Sequence, residues 1–132
     1  MGTAKVLIVD DEEAILTMLE MELTSEGYEV LKAQNGEEAI SQVKHVVPDL
    51  IIMDILLPDM DGTQAIKILR SELKMKNIPV LFLTAILTKE EADSETLSVK
   101  VDNAYFHAVA KPFEPEDLLK AINRVICKIN PQ

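Results

Sequence analysis

The sequence predicts an α/β protein built on a parallel β-sheet with helices on both faces. Three observations support this fold class. Short apolar segments recur along the 132 residues, segments with helical spacing of apolar residues lie between them, and glycine or proline marks several boundaries. Some of the apolar segments are near-continuous hydrophobic runs, as is typical of parallel strands covered on both faces. Alternating strands and helices in one short chain therefore indicate a single doubly wound domain.

Five strands are predicted, at residues 5–9, 29–33, 50–53, 80–83 and 105–109. Apolar residues at helical spacing occur at 15–23, 39–47, 66–73 and 118–129, and the segment 89–101 has the weakest helical pattern. Five strand–helix units in a chain of this size predict the flavodoxin-like (βα)5 arrangement, a five-stranded parallel sheet with strand order 2-1-3-4-5.

Composition and charge exclude several classes of function. The formal net charge is −10, from 23 acidic and 13 basic residues, so the domain should be repelled by nucleic acid and by anionic membranes. No apolar run approaches the 18 or so residues that a membrane-spanning helix needs. A single cysteine, Cys127, suits a reducing compartment. We therefore expect a cytoplasmic domain that contacts neither nucleic acid nor membrane.

Polar residues follow the apolar strands at the points where the strands end. The run LIIMDILLPDMDG carries Asp54 directly behind a buried strand, and the first strand ends at Asp10 and Asp11. Thr84 follows the fourth strand and Lys111 follows the fifth. In an open parallel sheet the ligand crevice lies outside the carboxyl ends of the strands, at the point where the strand order reverses. The three aspartates should converge there, with Thr84 and Lys111 on the opposite wall.

Three carboxylates in one crevice predict a bound cation. Like charges a few ångströms apart raise one another's pKa unless a cation lies between them. Oxygen ligands select a hard divalent ion, which means Mg²⁺ or Mn²⁺. The DMDG segment does not fit a calcium loop, because that register would place Ile68 where a bidentate glutamate is required. Glu12 and Glu13 are predicted to lie in the first turn of the next helix, where acidic residues are favoured.

The ordered motifs VLIVDDEE, AQNGEEAI, LIIMDILLPDMDG, FLTA and AKPF resemble those of the two-component response-regulator receiver domain, a phosphoacceptor family. The resemblance covers essentially the whole chain. It implies that Asp54 accepts a phosphoryl group from a histidine kinase or phosphotransfer protein. It also implies that Mg²⁺ is held by Asp10, Asp11, Asp54 and the backbone carbonyl of Leu56.

The remaining site residues follow from the same resemblance and agree with elementary chemistry. Thr84 would donate a hydrogen bond to the phosphoryl group, Ala85 would leave room for it, and Lys111 would pair with it. Because the donor and the attacking carboxylate are both anionic, the reaction needs positive charge nearby. Lysine supplies that charge as a compact point. The step from Lys111 to Pro112 is a candidate cis peptide bond, which would aim the lysine inward.

One position departs from the family pattern. The fifth strand usually carries Tyr or Phe three residues before the lysine, and here Ala108 occupies that position. Tyr105 and Phe106 lie nearer the start of the strand. The phosphorylation chemistry does not depend on that aromatic residue, but the usual coupling between movement of Thr84 and burial of the aromatic ring is not expected in its ordinary form.

Leu56 and Ile86 are candidates for setting the lifetime of the phosphorylated state. In the family, the positions two after the phosphorylated aspartate and two after the threonine flank the approach of water. Both are bulky and apolar here, so neither can orient a water molecule for attack. We hypothesise that they screen the phosphoryl group and make self-dephosphorylation slow; the alternative is that they only pack against neighbouring loops.

The sequence predicts one receiver domain over residues 1–132, with only residues 130–132 after the last helix and no effector domain in this chain, which is either a stand-alone receiver or a piece of a longer protein. Such a domain signals through an unidentified downstream protein or effector, by a phosphorylation-driven change in a protein-binding face. It catalyses only its own phosphorylation and dephosphorylation, and is not otherwise an enzyme. The alternative function is a degenerate receiver that acts as a phosphorylation-independent interaction module, although no acid, threonine or lysine of the motif is missing.

Overall fold

The structure is a computed structural model that describes residues 3–72, 77–85 and 98–129. The strands are β1 (Lys5–Val9), β2 (Glu29–Ala33), β3 (Leu50–Asp54), β4 (Val80–Ala85), β5 (Ser98–Val101) and β6 (Ala104–Lys111). The helices of the described part are α1 (Glu13–Ser25), α2 (Gly36–His45), α3 (Gly62–Glu72) and α4 (Pro115–Ile129).

The sheet has the order β2-β1-β3-β4-β6-β5. Strands β2, β1, β3, β4 and β6 pair in parallel and reproduce the predicted order 2-1-3-4-5, with β6 as the predicted fifth strand. This confirms the doubly wound α/β fold class. The order reverses between β1 and β3, so the carboxyl ends of these two strands border the crevice in which such folds bind ligands.

β5 is a sixth strand that the sequence analysis did not predict. It pairs antiparallel with the first half of β6, so a hairpin ends the sheet on this side. The prediction of a helix over 89–101 is wrong for Ser98–Val101, and residues 89–97 lie outside the described residues. The segment SVKV alternates polar and apolar residues, and Asp102 adopts a φ of 55° that suits a tight turn. A run of four residues is too short for its periodicity to separate strand from helix.

The sheet separates two apolar cores, which explains the continuous hydrophobic runs of the inner strands. Alternate residues of a strand point to opposite faces, so both faces of β1, β3 and β4 are buried. One face packs against α2 and α3 through Leu7, Val9, Ile51, Met53 and Phe82. The other packs against α1 and α4 through Val6, Ile8, Leu50, Ile52 and Leu81. Packing on both faces fixes the strand register and therefore the residues that project at the carboxyl edge.

Of the helices in the described part of the chain, none is both long enough and apolar enough to cross a lipid bilayer.

Candidate functional site

Two buried carboxylates lie at the carboxyl edge of the sheet. Asp10 directly follows β1 and has no exposed surface, and Asp54 is the last residue of β3 with 5% of its surface exposed. They are the only charged residues classed as buried in the described part of the chain. β1 and β3 are adjacent strands, so the structure brings Asp10 and Asp54 together where the sequence predicted their convergence.

The two carboxylates are held in the same manner. One oxygen of each accepts a hydrogen bond from the backbone N–H two residues further along. The Glu12 N–H donates to Oδ1 of Asp10 at 2.9 Å, and the Leu56 N–H donates to Oδ1 of Asp54 at 3.1 Å. These bonds orient both side chains and leave their Oδ2 atoms to face a third group.

That third group is the ammonium of Lys111, the last residue of β6. Its Nζ lies 2.7 Å from Oδ2 of Asp10 and 3.0 Å from Oδ2 of Asp54, and Oε1 of Glu12 is 3.4 Å away. The peptide bond from Lys111 to Pro112 is cis, the isomer anticipated from the sequence. One partly buried ammonium therefore links two buried carboxylates that would otherwise repel each other.

The pKa values reflect this arrangement. Burial raises the pKa of Asp10 above its ordinary value, although hydrogen bonds from Lys111 and from the Glu12 N–H act to lower it. Burial alone would lower the pKa of Lys111, but its hydrogen bonds to Asp10 and Asp54 outweigh burial and hold the pKa above its ordinary value. Lys111 is therefore protonated and positively charged at neutral pH.

A cluster of three acidic residues, which includes Asp10, suits a divalent cation. Carboxylate oxygens of Asp10, Asp11 and Glu12 all lie within 4.8 Å of one another. Only Asp10 of the three is buried, so water can complete the coordination shell of an ion there. An oxygen-only ligand set beside buried negative charge fits Mg²⁺ or Mn²⁺.

Glu12 belongs to the site, although the sequence predicted only an acidic residue at the start of the next helix. It occupies the N-cap position of α1 and makes no side-chain capping hydrogen bond. Its carboxylate instead lies near the Lys111 ammonium and forms the acidic cluster together with Asp10 and Asp11. Glu13, by contrast, lies in the first turn of α1 as predicted. The available signal was that Glu12 follows two aspartates at a strand end without interruption.

The opposite wall is formed by the end of β4. Thr84 is half-buried beside Ala110, and Ala85 is exposed beside Lys111. The Thr84 hydroxyl donates to the carbonyl of Ala85 at 3.2 Å. Ile86 lies outside the described residues.

Comparisons with known proteins assign the chain to a family. Residues 6–123 match the family model of the response regulator receiver domain. The chain is a response regulator receiver domain. Receivers are signalling domains that act in two-component systems.

Relatives of known sequence and structure agree with this assignment. The chain is 36% identical over 122 residues to the alkaline phosphatase synthesis transcriptional regulatory protein PhoP of Bacillus subtilis, covering 92% of the chain and 48% of PhoP. It is 33% identical to the protein PilH of Pseudomonas aeruginosa, covering 93% of the chain and 98% of PilH. The structure of the chemotaxis response regulator CheY4 of Vibrio cholerae superposes with a TM-score of 0.78 at 36% identity, covering 94% of the chain and 99% of CheY4. The receiver thus spans about half the length of the PhoP-type relatives.

The loop between β3 and α3 of the receiver, residues 55–61, is closed at its base. Leu56 and Asp61 form an isolated antiparallel bridge, and the Gly62 N–H donates to the carbonyl of Ile55 at 2.7 Å. A Cβ at Gly62 would lie 2.2 Å from the carbonyl oxygen of Asp54, so only glycine permits this close approach. The side chain of Leu56 remains 67% exposed at the mouth of the site.

The aromatic residues of β6 lie away from the site. Phe106 is buried, packs edge-to-face against Phe82 at 5.7 Å between ring centroids, and is covered by the guanidinium of Arg70 at 4.7 Å. Ala108 is the residue that pairs with Phe82 across the strands. The ring of Phe106 is thus fixed within the core that packs under α2 and α3, whereas Tyr105 is exposed.

Proposed function

We propose that this receiver accepts a phosphoryl group on Asp54 in a Mg²⁺-dependent reaction, with a histidine kinase or phosphotransfer protein as donor. The observation that carries the proposal is the contact of Lys111 Nζ with both Asp10 and Asp54, at 2.7 and 3.0 Å. Such a contact places a fixed positive charge beside the candidate nucleophile, at the edge where parallel sheets bind ligands.

Asp54 has the properties of a carboxylate nucleophile. Its Oδ1 is held by the Leu56 N–H, so the side chain is oriented before the donor arrives. In the reaction, a carboxylate oxygen forms a bond to phosphorus while the bond from phosphorus to the donor breaks, and the donor leaves with the electron pair. No proton has to be removed from the nucleophile.

Charge neutralisation is the task of the groups around Asp54. Lys111 would pair with the transferred phosphoryl group, and the Thr84 hydroxyl would turn from the Ala85 carbonyl to donate to it. Asp10, Asp11, Asp54 and the Leu56 carbonyl would hold Mg²⁺, which supplies Lewis-acid stabilisation of phosphoryl oxygens when bound. The small side chain of Ala85 leaves room for the phosphoryl group.

The signalling step follows from the same site. Phosphorylation would change a protein-binding face and so alter the contact with a downstream protein or effector domain. Because Ala108 stands in place of the usual aromatic residue and Phe106 is fixed by Phe82 and Arg70, the change would not rely on rotation of a ring on β6. With an excess of acidic residues, contact with protein rather than nucleic acid is the expected output of this domain, in the cytoplasm.

The experiment that tests the proposal is incubation with acetyl phosphate and Mg²⁺, followed by intact-mass measurement. The parent protein should gain one phosphoryl group. Asp54→Asn and addition of EDTA should each abolish the gain. A full gain in Asp54→Asn would place the nucleophile elsewhere, and a full gain in EDTA would remove the metal from the reaction.

A further inference from the structure

The loop of residues 55–61 is fastened to α2 by Asp59. One carboxylate oxygen of Asp59 accepts the Gly36 N–H and the other accepts the Glu37 N–H, each at 2.9 Å. These are the first two residues of α2, whose N–H groups have no partner within the helix. A residue 22 to 23 positions away therefore supplies part of the cap of this helix.

A second contact lies next to the first. The side chain of Met60 packs so closely on Gly36 that a Cβ there would come within 2.5 Å of Met60 Cγ. Asn35, the N-cap residue of α2, accepts the Glu38 N–H at 2.7 Å and so completes the cap. The tip of the loop is thus joined to α2 both by hydrogen bonds and by packing, and we call these contacts of Asp59 and Met60 the α2 clasp.

The clasp holds the tip of a loop that begins directly after Asp54. Its base is fixed by the bridge between Leu56 and Asp61 and by the Gly62 hydrogen bond. Its tip is held on α2 by Asp59 and Met60, and Leu57 packs against the core that lies under α2 and α3. Leu56 belongs to the base, and its N–H donates to Oδ1 of Asp54. Release of the tip would remove the contacts that hold the loop against α2, so the bridge between Leu56 and Asp61, and with it the Leu56 carbonyl, would be less restrained relative to Asp54 and the acidic cluster.

We infer that Asp59 is a positioning residue for the metal site, which acts by holding the loop of residues 55–61 against α2. The inference rests on the proposed function, in which the Leu56 carbonyl is a metal ligand. Asp59 itself does not belong to the ligand set. It acts on the site as groups outside the ligand set commonly do, by restricting where a ligand can lie.

The test is the affinity for Mn²⁺ alone, measured from the free-ion signal in electron paramagnetic resonance with the full chain. Asp59→Ala removes both acceptors, and Asp59→Asn replaces one acceptor oxygen by a donor. Glu37→Gln is the matched control, since it removes one charge at the same end of α2 and leaves the clasp in place. We expect both Asp59 variants to bind Mn²⁺ about tenfold more weakly than the parent, and the control to bind like the parent.

Two results would overturn the inference. If Asp59→Asn and Glu37→Gln weaken Mn²⁺ binding equally, the effect arises from the lost negative charge and not from the clasp. Unchanged Mn²⁺ affinity in both Asp59 variants, with lower melting temperatures, would make Asp59 a helix cap and nothing more. Circular dichroism at the titration temperature verifies that each variant is folded.

Gly36→Ala disturbs the clasp at the contact between Gly36 and Met60 and leaves Asp59 unchanged. The added methyl group must displace Met60, so this variant should also weaken Mn²⁺ binding, and Met60→Ala in the same chain should restore part of the affinity. Wild-type affinity in Gly36→Ala would contradict the inference. Phosphorylation of the parent by acetyl phosphate is measured separately, so a failure of the proposed function is distinguishable from a failure of the clasp.

Discussion

Lys111 is the residue on which the charge balance of the site depends. Its ammonium faces Asp10 and Asp54, which are both buried, so removal of the lysine leaves two carboxylates to repel each other. Lys111→Ala should keep its fold in the presence of Mg²⁺, because the cation compensates the same charges. Phosphorylation by acetyl phosphate should slow by about tenfold, which corresponds to about 1.4 kcal/mol of transition-state stabilisation.

The rate is measured by intact mass against time, with Lys100→Ala as the control. Lys100 is an exposed lysine on β5, so its removal changes the net charge equally and leaves the site intact. A rate for Lys111→Ala equal to that of the control would show that Lys111 does not assist the transfer.

Substitution of Leu56 and Ile86 tests the hypothesis that their side chains set the lifetime of the phosphorylated state. Its side chain is largely exposed at the mouth of the site, where it can cover the approach to Asp54. Replacement of Leu56 by Asn together with Ile86 by Glu adds polar groups that can hold water, so loss of phosphate should accelerate by about tenfold. The measurement is the decay of phosphorylated protein after donor removal in excess Mg²⁺. Equal decay rates in parent and double variant would refute the hypothesis.

At the scale of elements, the attachment of α2 to the loop of residues 55–61 predicts a pH effect. Burial acts to raise the pKa of Asp59, but hydrogen bonds from the N–H groups of Gly36 and Glu37 and of its own loop hold it below its ordinary value. A carboxyl group with a lowered pKa in the folded state stabilises the fold above its unfolded pKa of about 4. That contribution is lost as the pH falls through the folded pKa.

The expected outcome is a difference between two urea-unfolding series. The parent should be more stable than Asp59→Asn at pH 7, and the gap should close as the pH falls below about 4. Glu37→Gln serves again as the control, and its difference from the parent should not follow this course. A gap that stays constant down to pH 3 would contradict a role for the ionised Asp59 carboxylate.

The elements also show which parts of the structure a sequence can predict. The runs that form β1, β3 and β4 are buried on both faces, so their hydrophobicity alone identifies them, and Asp10 and Asp54 at their ends follow. β5 was missed because four alternating residues do not outweigh a weak helical pattern. The sequence does not predict the α2 clasp, because Asp59 and Gly36 are residue types that are common in turns and lie 23 positions apart. Only the tertiary structure brings them together.

At the scale of the whole molecule, the site lies where four separate strand ends meet between two cores. Binding of Mg²⁺ there should therefore stabilise the entire domain, since a ligand that binds only the folded state adds about 2.7 kcal/mol at a concentration of 100 times its Kd. The melting temperature of the parent should rise with Mg²⁺. Asp11→Ala should lose most of this rise while keeping its fold, because Asp11 is exposed.

The melting curves are recorded with Mg²⁺ and with EDTA, and Glu13→Ala is the control because it removes an equal charge from the first residue of α1, which does not belong to the acidic cluster. If Asp11→Ala responds to Mg²⁺ as fully as the control does, then the metal is bound elsewhere.

Chemical identification of the modified residue tests whether Asp54 carries the phosphoryl group. Protein treated with acetyl phosphate and Mg²⁺ is reduced with borohydride, which converts an aspartyl phosphate to homoserine, and is then digested and sequenced by mass spectrometry. We expect homoserine at position 54 in the parent, and none in protein treated without donor. Homoserine at another aspartate, or unmodified Asp54 in protein that has gained a phosphoryl group, would show that Asp54 is not the phosphorylated residue.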